Sequence, residues 1–129
     1  MPNYMLLFYA EPPASAEEVA AREANFPLWI ELGESLEKAG LLVGAERLHP
    51  TDMATTVRVR DGETQVTDGP FAVTKEVLGG YYIVDCANLD EALKVAARAP
   101  IAAFGSVEVR PVMDLSGAID TAKAATSAA

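Results

Sequence analysis

The residues best suited to chemistry in this chain surround an Asp-Gly-Pro turn. Asp68 precedes Gly69 and Pro70, and the oppositely charged neighbours Lys75 and Glu76 follow in the same loop. A carboxylate held on a constrained loop can act as a general base when it is partly shielded from water. The same aspartate could instead only stabilise the turn, because Asp side chains accept backbone N–H hydrogen bonds there. The sequence leaves both interpretations open.

One histidine is the second candidate for proton transfer. His49 is the only histidine of the chain, and imidazole exchanges protons near neutral pH. Pro50 follows it and favours an extended backbone at the histidine. In an acid/base enzyme, Asp68 would serve as the base and His49 as the acid or orienting group. Otherwise His49 is an exposed residue of a polar loop.

Arginines in predicted strands are candidates for anion binding. Arg47, Arg58 and Arg110 lie in three different strand patterns. If their polar sides face one cleft, they would bind a carboxylate or phosphate through forked hydrogen bonds. Alternatively, they neutralise some of the many acidic residues of the chain. Lys75 and Glu76 complete this candidate set, either as an anion anchor and its neighbour or as solvated loop charges.

Two adjacent tyrosines follow the loop on a predicted strand. Because strand side chains alternate, one of Tyr81 and Tyr82 faces the helices and the other faces the opposite side of the sheet. We retain Tyr81 as a candidate ligand-binding residue. Residues 78–80 (Leu-Gly-Gly) are too few for a phosphate-binding loop and predict a bulge or a close backbone approach.

The charge balance argues against two classes of partner. The chain carries 19 acidic and 10 basic residues, a formal charge of −9. Phosphate backbones and anionic membranes bind basic faces, so we expect neither a nucleic-acid partner nor membrane binding. No signal-peptide pattern is present, and no apolar run approaches the roughly 20 residues of a membrane span. We therefore expect a cytoplasmic protein.

The residues that bind metals and cofactors are sparse. Cys86 is the only cysteine, so an intramolecular disulfide is excluded, and its apolar strand pattern predicts a buried residue. One histidine and no carboxylate pair on a shared face do not make a metal site. No nucleophile motif is present. The sequence predicts no metal and no cofactor.

Hydrophobic patterns place strands along the chain. Residues 4–9 are apolar and aromatic and predict a buried central strand. Residues 55–60 alternate apolar and polar side chains, and Asp61-Gly62 predicts a type I′ hairpin to residues 63–67. Further strands are predicted at 41–48, 79–86 and 105–112.

Two helical regions separate these strands. Residues 15–18 and 88–91 have the sequence of capping boxes, which predict helix starts. Pro27 interrupts the first helical region. Either the helix kinks near Asn25, or a second helix begins there with Asn25 or Phe26 as its cap.

The order of elements predicts a single α+β domain. The pattern β-α-β-β-α-β is ferredoxin-like, here with an extra β-hairpin, and its helices would cover one face of the sheet. The other face then suits a sheet-on-sheet homodimer. We assign the domain to residues 1–113. Residues 114–129 are an Ala-rich tail that we expect to be mobile, with a short helix over 118–125 as the alternative.

Several separated segments resemble the DGPF branch of the YCII-related proteins. They are residues 55–58, 66–71, 74–76, 78–81, 90–92 and 106–112. The resemblance covers about residues 3–113 and implies a dimeric α+β barrel, a version of the ferredoxin-like fold. Members of this branch often sit beside extracytoplasmic-function sigma factors, and their biochemical role is poorly defined. The resemblance implies no particular substrate.

One feature of that family is missing here. YCII-related proteins have been proposed to use a His–Asp pair as an acid/base dyad, with the histidine on the helix before the second strand. That position falls near Trp29 in this chain, and the helix contains no histidine. The dyad therefore cannot be transferred to this sequence.

Two functions follow from these observations. The first is a domain that binds a small anionic molecule, or serves as an accessory protein, in a signalling or stress-linked pathway. The second is a cofactor-free acid/base enzyme that uses Asp68 with His49. A functional link to an extracytoplasmic-function sigma factor accompanies the first.

Overall fold

The first strand of the chain lies at the centre of a four-stranded antiparallel sheet in the computed structural model, which describes residues 2–128. The strands are β1 (Asn3–Ala10), β2 (Leu42–Arg47), β3 (Thr55–Arg60), β4 (Glu63–Asp68), β5 (Val77–Asp85) and β6 (Ser106–Pro111). The helices are α1 (Ala16–Glu23), α2 (Phe26–Lys38), α3 (Leu89–Ala97) and α4 (Ser116–Ala128), with 3-10 turns at Thr51–Met53 and Pro100–Ala103. The sheet order β2-β5-β1-β6 confirms the predicted ferredoxin-like α+β fold.

The alternation of β1 builds the core. Tyr4, Leu6, Phe8 and Ala10 are buried, whereas the residues between them are only partly covered. Buried side chains of α2, β5 and α3 pack against this row and close one face of the sheet, namely Leu32, Leu36, Val84, Ala92, Val95 and Ala96. The helices therefore cover one side of the sheet, as two-layer α+β packing requires.

The helix boundaries follow from their caps. Ser15 accepts a hydrogen bond from the Glu18 amide, and Asn88 accepts one from the Glu91 amide, which confirms both predicted helix starts. At Pro27 the second alternative is correct, because α2 begins as a separate helix with Asn25 in the cap position. This break turns α2 relative to α1 just above the sheet edge.

The predicted extra hairpin is a separate two-stranded sheet made of β3 and β4. Asp61 and Gly62 both have positive φ, 53° and 79°, which confirms the type I′ turn. At the other end of the hairpin, the Gly69 amide donates to the Ala54 carbonyl and the Thr56 hydroxyl donates to the Gly69 carbonyl. These bonds fix the Asp-Gly-Pro turn to the start of β3.

The C-terminal segment is helical over a longer range than the predicted alternative. The helix α4 spans Ser116–Ala128, and its side chains are exposed from residue 116 to residue 127. The mobility of this segment, and the domain limit at residue 113, stay predictions. In residues 2–128, no helix combines the length and the apolar character needed to cross a membrane.

Candidate ligand-binding cleft

A cleft of about 500 Å³ opens at one edge of the sheet, on the helix-covered side. Because neighbouring strands are antiparallel, the C-terminal ends of β1 and β2 meet the N-terminal end of β5 at this edge. The break between α1 and α2 lies above it, and residue 104 after the second 3-10 turn closes one side. The volume is in the range of small-molecule binding sites.

Three aromatic rings pack together in this cleft. Phe8, Trp29 and Tyr82 contact one another edge to face, with ring centroids 5.0, 5.1 and 5.8 Å apart. Edge-to-face packing is the favoured arrangement of aromatic groups and holds each ring in a defined orientation. Burial raises the pKa of the Tyr82 phenol above its ordinary value, so the hydroxyl stays neutral and adds a polar atom to the site without a charge.

Two glycines allow the strands to meet at this edge. Gly79 is the extra residue where the pairing of β1 with β5 shifts between Phe8 and Tyr9, and Gly80 then lies opposite Phe8 and Arg47. A Cβ atom on Gly80 would lie 2.6 Å from the backbone oxygen of Glu46. The Leu-Gly-Gly segment is therefore both a bulge and a close backbone approach, as the sequence predicted.

Two arginines, Arg22 and Arg47, line the cleft. Arg47 pairs with Gly80 and shares the helix-facing side of the sheet with buried Phe8. Arg22 of α1 lies over the ring of Phe104, 4.9 Å from its centroid. Within residues 2–128, neither guanidinium forms an ion pair with a carboxylate. Both arginines can therefore donate hydrogen bonds to a ligand.

The acidic residue at the mouth of the cleft already has a partner. The Glu11 carboxylate lies 3.2 Å from the Lys75 ammonium group, and both side chains are largely exposed. The exposed ion pair offsets part of the charge of Glu11. Glu46 also lines the cleft, so its lining carries two glutamates and two arginines.

The two predicted acid/base residues occupy different surroundings. His49 lines the cleft, directly after β2. Asp68 is exposed at the end of β4, opposite Thr55 and outside the residues that line the cleft. Over the described range 2–128, no hydrogen bond or ion pair joins their side chains. Their joint action as acid and base stays a prediction.

The remaining predicted binding residues are distributed over several surfaces. Lys75 and Glu76 line a smaller hollow that shares Glu11 and Phe104 with the main cleft. Arg58 lies on the hairpin, where it donates a 3.4 Å hydrogen bond to the Phe71 carbonyl. The fold therefore brings His49, Arg47, Lys75 and Glu76 to one edge of the sheet, whereas Arg58 lies on the hairpin.

Tyr81 and Arg110 lie on the face of the sheet that the helices leave open. Tyr81 is opposite Leu7, and Arg110 is opposite Met5, whereas Tyr82 faces the helices. The structure thus shows which of the two tyrosines faces the helices, a point that the sequence left open. The three arginines Arg47, Arg58 and Arg110 therefore do not meet within the chain.

Sequence reasoning did not assign most of the lining residues to a site, including the three packed rings and also Arg22, Phe26 and Phe104. A signal was present in α2, because Phe26 and Ile30 are apolar residues four positions apart that do not belong to the core stripe. Both are about half exposed, at 53% and 47%. Arg22 and Phe104 are far apart in sequence, and no local pattern relates them.

No cluster of metal ligands accompanies the cleft. In the part of the chain that the structure describes, no group of three or more His, Cys, Asp or Glu side chains could hold a metal ion. The arrangement instead combines an aromatic floor, apolar walls and two arginines. Such a site can bind an organic molecule that carries a negative charge.

Comparison with known proteins finds a matching family and a related protein. The family model described as "YCII-related domain" matches residues 3–116 of the chain. An uncharacterised protein of Rhizobium meliloti (strain 1021) is 53% identical over 77 residues. That match spans 58% of this chain and 62% of the relative, so the similarity covers less than two thirds of the other protein.

Proposed function

The chain belongs to the YCII-related family, and we propose that this member binds a small anionic molecule in the cleft at the ends of β1, β2 and β5. The observation that carries the proposal is the presence of Arg22 and Arg47 in one cleft without a carboxylate partner in residues 2–128. Guanidinium groups form strong, charge-assisted hydrogen bonds with carboxylates and phosphates.

Exposed apolar side chains support the same function. Phe26, Ile30, Leu48 and Phe104 are each between 44% and 53% exposed, and all four line the cleft. Large apolar side chains concentrated in one concave area are typical of ligand-binding sites. A ligand with an apolar body and an anionic group would cover them and pair with the arginines.

Replacement of Arg47 by glutamine tests the proposal. We screen a panel of small carboxylates and phosphates by the thermal shift of the protein, and we expect at least one compound to raise its unfolding temperature. The affinity of that compound should fall at least about tenfold in Arg47→Gln, because one charge-assisted hydrogen bond contributes roughly 1.5–3 kcal/mol. Arg58→Gln, on the hairpin, is the matched control and should bind normally. A compound that both Arg47→Gln and Arg22→Gln bind as the wild type does would locate the site elsewhere.

The cellular role of the domain is a broader part of the proposal. We place the chain in the DGPF branch of its family because the segment 66–71 and the other matching segments agree in order. That branch supports an accessory role in a signalling or stress-linked pathway, with a link to an extracytoplasmic-function sigma factor, and a cytoplasmic location. Ligand binding in the cleft would be the input to such a pathway.

We also propose that the chain is a homodimer that packs through the open face of its sheet. Leu7, Tyr9, Tyr81 and Ile83 lie on this face, which the helices do not cover. The hairpin adds exposed valines, including Val57, and a two-stranded sheet is only marginally stable by itself. A second copy would cover both surfaces and give the dimeric α+β barrel that the resemblance implies.

Leu7→Glu tests the dimer. We expect the wild type to sediment at about twice the chain mass of 13.7 kDa at micromolar concentration. The variant should sediment as a monomer, because it would bury a carboxylate beside Glu108 of the neighbouring strand. Leu28→Glu, at an exposed position of α2, should leave the dimer intact. A wild type found only at 13.7 kDa would refute the proposed dimer.

A further inference from the structure

We infer that the ligand is an aromatic monocarboxylate, a claim that rests on the proposed function and specifies its ligand. The inference joins two independent features of the cleft. One is the oriented group of aromatic side chains, and the other is the small number of cationic groups beside them. Each feature restricts a different part of the ligand.

The aromatic side chains select a flat, unsaturated body. Phe8, Trp29 and Tyr82 are packed edge to face, with interplanar angles of 66°, 81° and 74°. All three rings line the cleft, and Trp29 and Tyr82 are only partly buried, so a further aromatic ring can continue the pattern. Aromatic pairs contribute roughly 0.5–1.5 kcal/mol beyond the area they bury, so an aromatic ligand gains more here than an aliphatic one.

Phe26 and Phe104 extend this surface towards solvent. Both line the cleft and are about half exposed, at 53% and 47%. Phe104 is covered on one face by the Arg22 guanidinium. A flat ligand body would contact these rings while its charged group reaches Arg22 at the side of the cleft.

The charges of the cleft fit one carboxylate. Arg22 and Arg47 are the two arginines among the described residues that line it, beside His49, and each guanidinium matches the two oxygens of a carboxylate. Glu46 and Glu11 also line the cleft. The pairing of Glu11 with Lys75 offsets its charge only in part because the pair is exposed. A second anionic group on the ligand would approach this carboxylate. A dianion is therefore disfavoured in a chain whose net charge is already −9.

The glycine segment at the edge of the cleft is not a phosphate-binding loop. The glycines at this edge, Gly79 and Gly80, lie in the strand β5. The backbone of β2 fills the space beside Gly80. Their amides therefore do not form a phosphate-binding loop of the kind found at a strand-to-helix turn. Recognition of the anion depends on arginine side chains, which suits a planar carboxylate.

Titration with 2-naphthoate tests the inference. Trp29 is the only tryptophan, so its indole N–H gives one identifiable resonance in an ¹⁵N-labelled sample. We expect saturable shifts of this resonance and a calorimetric affinity at least tenfold tighter for 2-naphthoate than for 2-naphthamide or decalin-2-carboxylate. Inorganic phosphate should not bind. Arg47→Gln should weaken 2-naphthoate about tenfold and leave 2-naphthamide unchanged, with Arg58→Gln as the matched control.

The outcomes separate the inference from the proposed function. If decalin-2-carboxylate or inorganic phosphate binds as tightly as 2-naphthoate, and Arg47→Gln weakens that binding, the aromatic monocarboxylate is refuted while anion binding in the cleft stands. If 2-naphthamide binds as tightly as 2-naphthoate, recognition of the carboxylate is refuted. If none of these compounds binds and the wider panel gives no compound sensitive to Arg47 or Arg22, both claims fail.

Discussion

Gly80→Ala should destabilise the folded chain by about 2–3 kcal/mol, because the new methyl group would overlap the backbone of β2. The added Cβ lies 2.6 Å from the Glu46 carbonyl oxygen and 3.3 Å from the Arg47 Cα. Both atoms belong to the backbone, so no side-chain rotation relieves the contact. The strand β2 must move away from β5, which breaks hydrogen bonds at the edge of the sheet. Urea unfolding followed by circular dichroism measures the loss.

The neighbouring glycine provides the matched control. A Cβ on Gly79 would meet its nearest atom, the Phe8 carbonyl oxygen, at 3.9 Å, which is an ordinary contact. Replacing a glycine by alanine also reduces the entropy of the unfolded chain, which stabilises the folded state by roughly 0.4–1 kcal/mol at a compatible position. Gly79→Ala should therefore be neutral or slightly stabilising. Equal unfolding midpoints for the two variants would contradict the close approach at Gly80.

The same substitution should also affect the cleft. Arg47 lies opposite Gly80, so a displaced β2 carries this arginine away from the aromatic floor. We expect Gly80→Ala to weaken the binding of a cleft ligand even under conditions where the variant is folded. The close packing of two backbones thus determines both the stability of the sheet edge and the position of Arg47, a proposed binding residue.

Local signals in the sequence predicted much of the fold. The capping boxes at residues 15–18 and 88–91, the turn at Asp61-Gly62 and the central strand at residues 4–9 are all found in the structure. Each of these depends on hydrogen bonds or side-chain alternation within a few residues. The chain order of the elements then restricts the sheet to few topologies.

The positions of the candidate binding residues could not be predicted in this way. In β2, the pairing with β5 shifts between Leu42 and Gly44, so Val43 is an extra residue. Because one added residue exchanges the two faces of a strand, Arg47 turns to the helix side and enters the cleft. Regular alternation from Leu42 would have placed it on the open face, with Arg110.

The Asp-Gly-Pro turn shows a second limit of sequence reasoning. Its residues identify the chain's resemblance, yet Asp68 lies at the end of an exposed hairpin outside the lining of the cleft. Only contacts between distant segments show this, such as the hydrogen bond from the Gly69 amide to the Ala54 carbonyl. In the proposed homodimer, the second copy would cover this hairpin.

Trp29→Ala should remove about 3 kcal/mol from the free energy of unfolding and abolish binding in the cleft. The indole packs against Phe8 and Tyr82, with ring centroids 5.0 and 5.8 Å away, and it contacts the buried core. Truncation of a large aromatic side chain loses its transfer free energy and leaves a cavity, which together cost roughly 3–5 kcal/mol when burial is complete. We use the lower end of this range because Trp29 is only partly buried.

Two variants show that the effect belongs to the ring. Leu28→Ala, at the preceding position of α2, changes a side chain that is 51% exposed and should alter stability by less than about 0.5 kcal/mol. Trp29→Phe retains an aromatic ring over Phe8 and should recover much of the stability and the binding. Calorimetric titration and urea unfolding of the same samples measure both properties. If Trp29→Ala keeps wild-type stability and affinity, the three packed rings are not the floor of the binding site, because a floor made by these rings cannot lose one of them without consequence.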